Sequence, residues 1–252
     1  MSLNFKELKY LKKEPKEIFY RGNLELLNAK KVSIVGTRRP SQYTKEITLY
    51  LARELAKRGV VVVSGGAMGV DAVAHRGAGA KNTIAVIANG LDIKYPAVNK
   101  SLLEEIEQNG LILTTFKDGF RATKWSFVVR NELVVALGEV LIVSEADLNS
   151  GTMRSVEYAL NMGKKIYVLP HRLNESLGTN KLLKELKAEA IYDLDEFVNS
   201  FGQIEQKEDE FLEYIKRVDN SLESLLSKFG DKVYEAELEG IIAIENGYVT
   251  IL

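Results

Sequence analysis

Four short segments of the chain carry residue types suited to binding anions. Gly36-Thr37-Arg38-Arg39-Pro40 sets two arginines beside a glycine, and guanidinium forks match phosphate oxygens with paired N–H donors. Ser64-Gly65-Gly66-Ala67-Met68-Gly69-Val70-Asp71 runs from an apolar stretch into a helical pattern, so its backbone N–H groups and the helix start form an anion cradle. Asn149-Ser150-Gly151-Thr152 repeats that arrangement, with Arg154 just behind it. The fourth segment, Lys124-Trp125-Ser126-Phe127 and then Arg130-Asn131, joins cations to aromatic rings on which nucleobases can stack. Taken singly, a glycine turn usually serves chain geometry and an aromatic usually buries. The case for phosphate binding rests on convergence of all four at one place.

The same inventory excludes much chemistry. The sequence has no cysteine, hence no thiolate nucleophile, disulfide or cysteine-held zinc. It lacks the G-x-x-x-x-G-K-[ST] loop, and Gly36-Thr37-Arg38-Arg39-Pro40 is not the G-x-G-x-x-G of dinucleotide binders. Of the two histidines, His75 follows Asp71 by four residues, a spacing that reads better as a packed or capping pair than as two metal ligands. No catalytic constellation can be argued from spacing. The expectation is a binding protein without catalytic residues, metal or cofactor.

A repeating rhythm positions these segments. Short apolar runs at Val32–Val35, Val60–Val63, Thr83–Ala88, Leu111–Thr114, Val140–Val143 and Ile166–Leu169 predict strands buried on both faces. Helical patterns lie between and after them, at Tyr43–Arg58, Val70–Ala80, Lys100–Asn109, Phe127–Leu137, Thr152–Met162 and Thr179–Leu186. Strands alternating with helices predict an α/β fold, a doubly wound, mostly parallel sheet. Its ligand loops lie beyond the carboxyl ends of the strands, where the anion-suited segments fall. Gly59 and Gly110 are expected as left-handed caps closing their helices.

Four parts are expected: a short helical lead-in over 1–30 with a turn at Arg21-Gly22, the Rossmann-like body over 31–201, a polar linker over 202–209, and a small domain over 210–252. In the last, three short helices and a hairpin turning at Asn246-Gly247 have the outline of a winged helix. The formal charge of −1 hides an asymmetry. Residues 201–252 carry 5 basic and 12 acidic residues, a net of −7; of the chain's 34 and 35 this leaves 29 and 23, a net of +6, for residues 1–200. The sequence shows no signal-peptide pattern and no apolar run approaching the ~18 residues that span a bilayer, so a cytoplasmic protein is expected.

These motifs resemble one family, DNA-processing protein A (DprA, also called Smf). The similarity runs through Val35–Pro40, Ser64-Gly65-Gly66, Gly69-Val70-Asp71 with Ala74-His75, Gly90-Leu91-Asp92 with Tyr95-Pro96, Phe127, Arg130-Asn131, Ser150-Gly151-Thr152 and Gly178-Thr179-Asn180. It covers about residues 30–200 in consistent order. The resemblance implies an extended Rossmann-like fold and a homodimer that binds single-stranded DNA and loads a RecA-type recombinase onto it during natural transformation. Carried over, Arg39 with Arg38 and the Ser64-Gly65-Gly66 loop would hold phosphates, while Lys124, Phe127 and Asn131 would line the strand's path, Phe127 by stacking. Three departures are visible. Glu132 stands where the family usually has a further basic residue, and no separate helical DNA-binding domain is read before residue 30. The acidic C-terminal domain suits a protein contact better than duplex DNA, whose binding requires phosphate neutralisation. The alternatives are a nucleoside-monophosphate phosphoribohydrolase using Gly151-Thr152 with Glu157, and a nucleotide sensor without catalysis.

Overall fold

A computed structural model of the chain describes residues 5–204 and 210–251. The linker expected over 202–209 falls largely on residues 205–209, which lie outside the described residues, as do residues 1–4 and Leu252. The chain divides into two compact units, Met1–Gln203 and Ile204–Leu252.

The first unit runs β1 (Phe19–Gly22), β2 (Lys31–Val35), α1 (Gln42–Lys57), β3 (Val61–Ser64), α2 (Val70–Ala78), β4 (Thr83–Val86), α3 (Lys100–Asn109) and β5 (Leu111–Thr114). It continues through α4 (Lys124–Leu137), β6 (Val140–Val143), α5 (Gly151–Asn161), β7 (Ile166–Val168), α6 (Leu177–Lys184), β8 (Glu189–Ala190) and α7 (Leu194–Asn199). The strands form one sheet in the order β1-β5-β4-β3-β2-β6-β7-β8. Every pairing is parallel except β1 with β5. This is a Rossmann-like α/β sheet. Alternate residues of its strands enter opposite cores. Val61, Val63, Leu141 and Val143 pack with Leu133, Val134 and Val156 of α4 and α5. Val32, Ile34, Val60 and Val62 pack with Leu51 and Leu55 of α1 and with Val70 and Ala74 of α2. Helices thus cover both faces, as buried parallel strands require.

The lead-in is not simply helical. Two short 3-10 segments, Lys6–Tyr10 and Leu24–Leu27, flank β1, and Arg21-Gly22 belongs to that strand rather than to a turn. Gly110 also departs from expectation: its φ of −118° is not left-handed. Close approach explains the glycine, since a Cβ there would stand 2.1 Å from the Ala80 carbonyl oxygen. Gly59, at φ +71°, does adopt the left-handed conformation.

The second unit contains α8 (Glu210–Arg217), α9 (Leu222–Phe229), α10 (Lys232–Leu238) and the antiparallel hairpin β9 (Ile242–Glu245) and β10 (Tyr248–Ile251). Phe211, Leu225, Val233, Ile242 and Val249 make its own core.

Candidate nucleic-acid interface

The sheet order reverses between β2 and β6: β2 to β5 extend one way along the sheet, and β6 to β8 the other. The loops leaving two such strands diverge to opposite faces, which opens a crevice at their carboxyl ends. A groove of about 480 Å³ lies there. Gly36, Thr37 and Arg38 after β2 form one side; Ser150, Gly151, Thr152 and Arg154 at the start of α5 form the other. Lys124, Phe127, Arg130 and Asn131 of α4 complete the lining.

The start of α4 is set by a reciprocal cap. Thr123 Oγ1 accepts from the Ser126 N–H at 3.2 Å, and Ser126 Oγ accepts from the Thr123 N–H at 2.9 Å. This cap begins the helix at Lys124, three residues before the expected start at Phe127, and so brings Lys124 and Trp125 onto a fixed helical turn. Phe127 is half-buried, with the Arg38 guanidinium 5.1 Å and that of Arg130 5.8 Å from its ring centroid. Cations held over a ring face fix the ring's pose as well as their own.

Arg130 forms part of the groove wall from a buried position, 6% exposed. Its Nη1 lies 3.4 Å from Asp71 Oδ2, and the same carboxylate oxygen accepts from the Ala67 N–H at 3.3 Å. Asp71 therefore ties the glycine loop after β3 to α4. Burial pulls the guanidinium below its ordinary value and Arg38 adds to this, while the charge of Asp71 opposes both. Gly65 makes the arrangement possible: a Cβ at that position would fall 1.0 Å from Arg130 Nη1 and 2.6 Å from Asp71 Oδ2.

A smaller pocket adjoins the groove and shares Arg38, Ala67 and Phe127 with it. Gly65, Gly66, Met68, Asn89, Tyr95 and Pro96 line most of the rest. The Tyr95 ring centroid lies 6.2 Å from that of Phe127.

Of the residues singled out in the sequence, Arg38, Lys124, Phe127, Arg130, Asn131, Ser150, Gly151 and Thr152 meet in the groove, and Gly65 and Gly66 in the adjoining pocket. Two lie apart. Ser64 is fully buried and its hydroxyl donates to the Ile34 carbonyl at 2.7 Å, so that oxygen is committed to the sheet. Arg39 is exposed outside the lining of both cavities. Asp71 and His75 do not pair with one another. His75 is fully buried, with Nδ1 2.6 Å from Thr83 Oγ1, and the Thr83 hydroxyl itself donates to the Val62 carbonyl at 2.8 Å. The imidazole must therefore donate through Nδ1–H; burial, helped by the charge of Arg130, holds its pKa down to about 3. Sequence spacing missed Asp71 as the partner of Arg130, since 59 residues separate them. It also missed Met68 as part of a wall.

The model of the DNA recombination-mediator protein A family matches residues 4–202, further toward the N-terminus than the motifs themselves reach. DNA processing protein DprA of Streptococcus pneumoniae is 36% identical over 176 residues, 68% of this chain and 62% of that protein. The Bacillus subtilis protein of the same name is 31% identical over 194 residues, 75% of this chain and 65% of that one. The chain spans 45–65% of the length of the curated relatives it matches. Among solved structures, DNA processing protein A from Helicobacter pylori, described for its single-stranded DNA binding mode, superposes with a TM-score of 0.78 at 45% identity. That match covers 79% of this chain and 93% of the other. The S. pneumoniae structure gives 0.72 at 32% identity, over 79% and 71% of the two chains. The family model and these matches agree: the chain belongs to the DNA recombination-mediator protein A family.

Proposed function

We propose that this protein binds single-stranded DNA in the switch-point groove without altering it chemically. It acts as a cytoplasmic homodimer and delivers the strand to a RecA-type recombinase during natural transformation. The observation that carries this reading is Phe127 held under the Arg38 guanidinium in a groove also lined by Lys124 and Arg154. Ring and cations stand together there, as a strand of bases and phosphates requires. The single-stranded DNA binding described for the H. pylori relative supports the same reading. Ser150 Oγ is buried beside the groove without a hydrogen-bond partner among the described residues, and a phosphate oxygen would satisfy it.

Capture is electrostatic, supplemented by stacking, and therefore indifferent to sequence and sensitive to salt. Two copies would place two modest footprints on one strand, and effective concentration then compensates for the limited charge of each. The acidic second unit is assigned to protein contact as a winged-helix-like module. Glu157, which the hydrolase alternative requires, is engaged with Arg154 at 2.9 Å and is not among the residues lining the groove.

The deciding experiment is an anisotropy titration of labelled oligo-dT across a salt series, with the unlabelled strand, its duplex and AMP as competitors. Salt-sensitive binding competed by the single strand and not by AMP is expected. Absence of strand binding, with AMP bound or cleaved, would overturn the reading.

A further inference from the structure

We propose that Trp125 is a second base-stacking platform, outside the groove, that receives an unstacked nucleobase of the same bound strand; the inference rests on the single-stranded DNA reading above. Trp125 is 60% exposed, yet its ring is not loose. It stands edge-on to Phe116 at 5.5 Å and to Phe120 at 6.2 Å. Those two rings are themselves stacked at 4.5 Å with 12° between their planes. The loop carrying Phe120 is braced in turn, because Asp92 accepts from the Gly119 N–H at 2.9 Å and Asp118 accepts from the Asp92 N–H at 3.3 Å. An indole held this way spends little conformational freedom when a base settles on it.

Its place along the sheet gives the direction. Loops follow the carboxyl ends of neighbouring strands: Ser150–Arg154 after β6, Arg38 after β2 and Gly65–Met68 after β3, Asn89–Pro96 after β4, and then Phe116 to Trp125 after β5. At ~4.8 Å per strand, four spacings make a row of about 19 Å. A strand stacked at ~3.4 Å per nucleotide needs several nucleotides to cover that distance. Lys124 links the two ends, since it lines the groove and directly precedes Trp125. Lys124 and Arg121 are both exposed, so their charges can reach phosphates along the way. Continuity with the groove and this positive charge favour nucleic acid over a protein as the occupant.

Trp125 is the only tryptophan of the chain, so its emission reports this position alone. In a titration of the full chain with long oligo-dT, emission should be quenched in step with the anisotropy isotherm. An abasic strand of equal length, with the same phosphates and no bases, should bind without quenching. Trp125→Ala should weaken oligo-dT binding about 5- to 150-fold while its affinity for the abasic strand stays as in the wild type, and Trp125→Phe should recover most of the oligo-dT affinity. Oligo-dT binding without quenching, quenching by the abasic strand, or unchanged affinity in Trp125→Ala would each overturn the platform and leave the groove reading intact. Absence of any oligo-dT binding would instead overturn the groove reading itself.

Discussion

Phe127 lies within 6 Å of two guanidinium carbons, and the two arginines concerned have different duties. Arg38 is exposed, so its N–H donors can reach a phosphate from over the ring; Arg130 is buried and pinned by Asp71. Arg38→Ala should therefore weaken oligo-dT binding equally for all sequences. It should also flatten the slope of log affinity against log salt by roughly 0.7 for each phosphate it leaves without a cation. Gly65→Ala tests the second duty. Its methyl group would displace the Arg130 guanidinium, with an expected cost of about 1–3 kcal/mol in denaturant unfolding and a parallel drop in strand affinity. His75 adds a pH dependence of stability. Its folded pKa of about 3 lies below the ordinary 6.5, so between those values the unfolded chain holds the extra proton. Stability is present above pH 6.5 and is lost as pH falls toward 3. From pH 7 to pH 5 this one group should remove about 2 kcal/mol, and urea titrations of the wild type and of His75→Asn should diverge over that interval.

The capping box of Thr123 and Ser126 decides where α4 begins, and with it where Lys124, Trp125 and Phe127 are held. Thr123→Ala should cost about 1 kcal/mol and lower the melting temperature by roughly 2–4 °C, with Thr123→Ser retaining both the cap and strand affinity. At this scale the sequence is readable where burial is complete. The parallel strands β2 to β7 stand out as continuous apolar runs because both of their faces are covered. The edge strands β1 and β8 do not. Tyr20, Arg21 and Gly22 of β1 are exposed, and β8 is two residues long, so neither carries an apolar signature. The candidate site is legible in part because local residues mark its loops: glycines follow the ends of β2, β3 and β6 in the sequence, with Arg38 and Arg154 close to two of them. Its supports are not. The ion pair of Arg130 with Asp71, the burial of the Ser64 hydroxyl and the exposure of Trp125 arise from elements distant in sequence, and no local pattern announces them.

Across the whole chain, residues 1–200 carry a net charge of +6 and residues 201–252 a net of −7. If the groove binds a strand as proposed, a negative module on the same chain should lower the strand's local concentration through long-range repulsion. Ending the chain at Gln203 should strengthen oligo-dT binding several-fold at low salt. The gain should fade by about 0.15 M, where charges are screened beyond ~8 Å. The separate 203–252 fragment should fail to bind duplex DNA at that ionic strength, and retention of a labelled duplex would contradict its assignment to protein contact.

The margin of the sheet bears on solubility. β5 reads Leu111-Ile112-Leu113-Thr114 and is wholly buried, and β1 pairs with its outer edge from Phe19 opposite Thr114 to Gly22 opposite Leu111. Remove β1, and this mostly apolar strand presents a bare row of N–H and C=O groups, a template for recruiting the same strand of another molecule. A chain begun at Lys31, where the recognisable motifs start, would keep the groove residues and still be expected to self-associate through β5. Light scattering that rises with concentration for that shortened chain, and not for the full one, would make the segment before the motifs a guard against aggregation.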